Sequence, residues 1–116
     1  MANGDVIDSG RIYADAFYRS IKLLDASVAA DNGVWIDARG FPRMTVDIFG
    51  SFVATIQIHG SNEVVVPSNP TDGRQLGANV TAPGVIAIDS PVRWLKAKVS
   101  SYTSGTVNAN INMASL

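Results

Sequence analysis

The sequence predicts an all-β domain, an antiparallel two-sheet sandwich of jelly-roll type with seven or eight short strands. Three observations carry this. Apolar and polar residues alternate over several runs, the period of a strand with one buried and one wet face. Turn residues punctuate the chain at short intervals, as in sandwiches and small barrels. The chain has 116 residues, 47% of them hydrophobic, which suits one domain with its own core.

Residues 1–20 stand apart from this pattern. Ile12, Tyr13, Ala16 and Phe17 fall at helical spacing, with Asp8 or Ser9 able to cap. Ile12, Ala14, Ala16 and Tyr18 also alternate like a strand, and periodicity alone does not choose between the two. The expectation is an N-terminal arm or short helix over 1–20 that packs on something, followed by the sandwich over 21–116. Tyr13, Phe17 and Tyr18 are its candidate interface residues, because aromatic side chains dominate many contacts.

Ile21 to Val28 reads as the first strand. Asn32-Gly33 is a strong hairpin signal, with Val34 to Ala38 returning. Arg39-Gly40-Phe41-Pro42 makes a corner. Arg43 to Phe49 and Phe52 to His59 alternate cleanly about Gly50-Ser51 and are expected to pair as a hairpin. Glu63 to Val66 can add a short strand, and Pro67 to Pro83 reads as loop. Gly84 to Asp89 is apolar, a short buried strand. Val92 to Ser101 and Thr106 to Met113 alternate about a tight turn at Tyr102-Thr103-Ser104-Gly105, where Gly105 is expected at positive φ. The expected core is Met44, Val46, Ile48, Ala54, Ile56, Ile58, Leu95, Ala97, Val99, Val107, Ala109 and Ile111.

Composition narrows the function. Net charge is −1, and nine Lys and Arg are scattered, so no basic stripe is available for nucleic acid or an anionic membrane. There is no cysteine, which removes disulfides and thiolate zinc sites. No apolar run approaches a membrane span, and Met1-Ala2-Asn3-Gly4-Asp5 does not begin like a secretion signal. Only 16% of residues are charged, which suggests apolar surface covered by a partner or by a second copy.

No catalytic, cofactor-binding or metal-binding set emerges, and the protein is not expected to be an enzyme. His59 is the only histidine, it falls on an outward face, and no nucleophile motif accompanies it. Asp31, Asp37, Asp47 and Asp89 do not form a calcium loop. Trp35 and Trp94 could make a sugar-stacking platform or serve packing and interface. Trp94 shares its face with Lys96 and Lys98 and is a fourth candidate interface residue. Asn108, Asn110 and Asn112 form an outward polar row that could bond across a subunit boundary or face solvent.

Two stretches carry a resemblance. Gly40 to Asn62 reads as strand, turn and strand ending in Gly60-Ser61-Asn62, and Val92 to Val107 closes on Tyr102-Thr103-Ser104-Gly105-Thr106-Val107. Together they resemble small β-sandwich virion proteins of tailed bacteriophages, including the cement proteins that decorate capsids, over roughly residues 21–113. Where those proteins usually continue with Asp-Gly-x-x-Trp, this chain has Glu63-Val64-Val65-Val66. The resemblance implies a non-enzymatic structural protein, made in the host cytoplasm, that binds the outer head surface and stabilises the shell. It implies the major capsid protein and further copies of itself, as a homotrimer, as partners. A tail or fibre module, and a carbohydrate-binding sandwich that recognises a host surface, remain as alternatives.

Overall fold

A computed structural model describes residues 3–13, 16–68, 73–88 and 92–114, with side chains in 8–18 excepted. Among the described residues, nine strands form two antiparallel sheets and no helix occurs. They are β1 (Val6–Tyr13), β2 (Ala16–Ser27), β3 (Ile36–Asp37), β4 (Arg43–Phe49), β5 (Phe52–Ser61), β6 (Arg74–Val80), β7 (Gly84–Ile88), β8 (Trp94–Gly105) and β9 (Val107–Ala114). One sheet has the order β1-β2-β9-β4-β7, the other β3-β8-β5-β6.

The alternation did what period-2 patterning does: it sorted side chains by face. Every residue of the expected core is buried, and Ile21, Leu23, Leu24, Ile36, Ala38, Ile88 and Met113 join them in a core between the sheets. Phe41, Phe52, Val92 and Tyr102 pack against its margin.

Pairing is a different matter. β4 and β5 do not form a hairpin, since β4 lies between β9 and β7 while β5 lies between β8 and β6. The chain at Gly50-Ser51 changes sheets. It does so again between β8 and β9, and the two crossings lie side by side, joined by the Thr106 N–H donating to the Ser51 carbonyl at 2.9 Å. Each crossing puts two alternating runs face to face across the core, which buries the same side chains that a hairpin would have placed on one sheet face.

The Asn32-Gly33 signal resolves likewise. β2 pairs with β1 and β9, and the chain beyond it runs along the free edge of β8. Asp31 exchanges backbone hydrogen bonds with Val99, and Ile36 pairs with Leu95. Gly33 is needed for close approach, because a Cβ there would overlap the Ala97 carbonyl oxygen.

Four further expectations change. Residues 6–13 and 16–27 are strands, so the helical spacing in the first twenty residues is not realised, and β2 runs straight through positions 20 and 21. The 67–83 stretch contains β6, an edge strand. β7 is an edge strand with Val85 69% exposed, not a buried one, and residues 63–66 form no strand, leaving Val64 and Val65 in solvent. Edge strands need only one neighbour and one apolar face, which is why weak local patterning suffices for β6.

Candidate interface at the Trp94 end

Three segments meet at one end of the sandwich: residues 37–42 after β3, residues 61–66 at the end of β5, and residues 92–94 at the start of β8. Backbone and side-chain hydrogen bonds stitch them. The Ala38 N–H donates to the Arg93 carbonyl at 2.8 Å. The Arg93 N–H donates to Asn62 Oδ1 at 3.0 Å, and Trp94 Nε1 donates to the Glu63 carbonyl at 3.1 Å.

Arg39 caps this frame. Its Nε and Nη2 donate to Asp37 Oδ1 and Oδ2 at 2.9 and 2.6 Å, a bidentate pair with fixed geometry. The Asp37 carboxylate also accepts from the Arg39 N–H at 3.0 Å. The Arg39 hydrogen bonds hold the Asp37 carboxyl below its ordinary pKa, against an opposing effect of burial. The guanidinium lies 5.3 Å from the centre of the Trp94 ring, a cation–π contact.

Two clefts flank Asn62 and Val92. One, of about 470 Å³, is lined by the apolar Ala38, Phe41, Pro42 and Val92 together with Arg39 and Arg93. The other, of about 650 Å³, runs between Gly60 to Glu63 and Arg74. Val64, Val65 and Val66 stand exposed beside them at 78%, 71% and 48%. Among the described residues, neither Arg74 nor Arg93 has a carboxylate partner. Aromatic rings and arginines are residue types enriched at protein interfaces.

Among the residues singled out in the sequence, Trp94 belongs to this end. Tyr13, Phe17 and Tyr18 lie on the β1–β2 hairpin, where Tyr13 pairs with Ala16 and Tyr18 with Gly10, and their side chains lie outside the described residues. Sequence reasoning missed Arg39, Asn62 and Arg93. The Asp37-x-Arg39 spacing and an Asn directly after a strand were the available signals, each too common to stand alone.

The other candidates have structural duties. The Trp35 ring lies 4.9 Å from Lys96 Nζ, so Lys96 faces outward on β8 as expected yet is fully buried. Each tryptophan thus carries a cation on its ring. The Asp31 carboxylate accepts from Asn3 Nδ2, Ser27 Oγ and the Gly33 N–H. Asp89 lies outside the described residues. Two of the three row asparagines bond within their own sheet: Asn108 Oδ1 accepts from the Ala26 N–H at 3.0 Å, holding a non-glycine residue at φ 51°, and Asn112 Oδ1 accepts from Ser20 Oγ. Among the described residues, no three His, Cys, Asp or Glu gather as a metal site.

His59 is half-buried and its Nε2 meets Gln57 Oε1 at 3.0 Å. Burial pushes its pKa below the ordinary 6.5, and the positive charges of Lys96 and Lys98 push the same way. A depressed folded pKa means that the native state holds fewer protons than the unfolded chain, so its stability falls as pH drops below about 6.5. Urea unfolding of His59→Gln between about pH 7 and pH 5 should show a flatter dependence than the parent. Equal slopes would remove His59 from the acid response.

Comparison with known proteins gives one fold neighbour. No protein family and no curated protein matches the sequence. The solved structure of the SPBc2 prophage-derived protein YomS superposes with a TM-score of 0.69 at 18% identity. The match covers 90% of this chain and 99% of that one, so the two share their architecture nearly from end to end.

Proposed function

We propose that this domain is a non-enzymatic structural protein of a bacteriophage virion, made in the host cytoplasm, that decorates the outer face of the head and binds the major capsid protein through its Trp94 end. The observation that carries this reading is the end-to-end fold likeness to a prophage-derived protein, which joins the resemblance seen in Gly40–Asn62 and Val92–Val107. The strand orders support the finer reading of the fold as a jelly roll: from β2 onward, each connection changes sheets except β5 to β6. A decorating protein needs a rigid frame and one adhesive surface, and many equivalent lattice positions let modest contacts add up.

On this reading Arg93 and Arg74 face acidic groups on the shell, while Trp94, Phe41 and the exposed valines supply apolar contact. Gold-labelled antibody against the protein, viewed on intact virions by electron microscopy, should mark heads. Label confined to tails would replace the decoration role with the tail or fibre one. Arg93→Glu should reduce the copies bound per head at least tenfold with an unchanged melting curve. Full occupancy by that variant would exclude this end as the attachment surface.

A further inference from the structure

A two-sheet sandwich has four open edges, and three of them here are blunted in ways known to prevent strand addition. β1 is interrupted by register shifts between Val6 and Asp8 and between Arg11 and Tyr13, and it carries Asp8 and Arg11. β3 is two residues long and sits beside the Asp37–Arg39 ion pair. β6 shifts register against β5, where Ile56 to Ile58 spans Val80 to Leu76, and such a bulge twists the edge away.

β7 has none of these devices. It pairs with β4 without a shift, from Ile48 opposite Gly84 to Met44 opposite Ile88. Its sequence is Gly-Val-Ile-Ala-Ile, and no charged residue occurs between Arg74 and Asp89. Gly84, Val85 and Ala87 are exposed. A regular, uncharged, exposed edge strand is a template for another strand.

We propose that β7 is a self-association edge, pairing antiparallel with β7 of a second copy across a two-fold axis at Ile86, to join two five-stranded sheets into one. The absence of charge argues for a second copy. A two-fold pairing sets each residue against its own strand, which is harmless only when no like charges meet. Centring on Ile86 pairs all five residues and keeps the faces in register: Ile86 and Ile88 remain on the core side, and Val85 lies opposite the partner's Ala87 on the outer side. A ring of three would need β7 to dock on a different edge, and the others are blunted. The proposed assembly is therefore a two-fold pair, where the resemblance implies a trimer. This inference does not depend on the virion assignment.

Sedimentation of the full chain over a concentration series should show a monomer–dimer equilibrium. V85K/A87K places like charges opposite one another at both outer pairs and should weaken the dimer at least tenfold, while circular dichroism and melting stay as in the parent because both side chains point into solvent. The chain has no native cysteine, so register can be read directly. Under oxidation, V85C mixed with A87C should give a mixed disulfide dimer, and V85C alone should give little. A parent that stays monomeric at high concentration, a dimer untouched by V85K/A87K, or cross-linking of V85C to itself in preference to A87C would each overturn the proposal.

Discussion

Gly105→Val should be severely destabilising and melt far below the parent. Gly105 has φ 92°, a conformation that costs a residue with a Cβ about 1–2 kcal/mol. The larger effect is steric. A Cβ would overlap the Ser51 carbonyl oxygen and come within 2.5 Å of the Phe52 Cα, and both are backbone atoms of the neighbouring crossing. Relief requires moving β5 against β8 where Phe52 pairs with Gly105, and with it the Thr106-to-Ser51 hydrogen bond that joins the two crossings. The sum should exceed roughly 4 kcal/mol, a large part of the ~5–15 kcal/mol that holds a domain together. Gly40→Ala is the control. Gly40 has φ 84° but nothing within 4 Å of the added Cβ, so it should lose only about 1–2 kcal/mol. Thermal melts of the two variants separate backbone strain from collision. Equal melting points would show that the crossings tolerate movement and that Gly105 is not their hinge point.

That contrast also shows what the sequence could carry. Gly105 was legible at positive φ, but the tight turn expected over Tyr102–Gly105 is not there, because β8 runs on through Gly105 along β5 before the chain changes sheets. Its partner was not legible. Two alternating runs around a glycine look the same whether they pair in one sheet or face each other across a core, because alternation encodes which face is buried and not which strand is adjacent. The burial of Met44, Ile56, Val99 and Ile111 could therefore be read correctly while the pairing partners of β4, β5, β8 and β9 could not. β6 was hidden for another reason. Gly77, Ala78 and Asn79 are poor strand formers, and β6 exists because β5 offers it an edge.

The candidate interface was legible only at Trp94. It is assembled from three segments whose contacts span 31 positions of sequence, Asn62 to Arg93 and Glu63 to Trp94 among them. Arg39 gave no sign of stacking on Trp94, because that contact arises only when β3 joins the edge of β8. Two residues of pairing thus decide which arginine meets which ring. No local pattern records such a meeting.

Ile56→Ala should cost about 2–5 kcal/mol, the range for removing a buried aliphatic side chain and leaving a cavity. Ile56 is fully buried on β5, an interior strand of its sheet, and it pairs with Val99 on one side and Val80 on the other. Both pairings shift register beside it, toward Thr55 against β8 and toward Ile58 against β6. Irregular ladders give up hydrogen bonds, so the side chain that packs there holds the register as well as the core. A cavity at this point cannot close by small movements, because β5 is bracketed on both flanks and faces the other sheet. The cost should fall toward the upper half of the range. Val53→Ala on the same strand removes a side chain that is 59% exposed and should change stability by no more than about 0.5 kcal/mol. Urea unfolding of the pair should show the Ile56→Ala midpoint lower by about 1 M or more at an unchanged slope, with Val53→Ala near the parent. A shared midpoint would mean that β5 does not pack as described. Because the Trp94 end is tied together by its own hydrogen bonds, the proposed decoration role has the Ile56→Ala protein that remains folded occupying heads as the parent does, which separates the frame from the surface it carries.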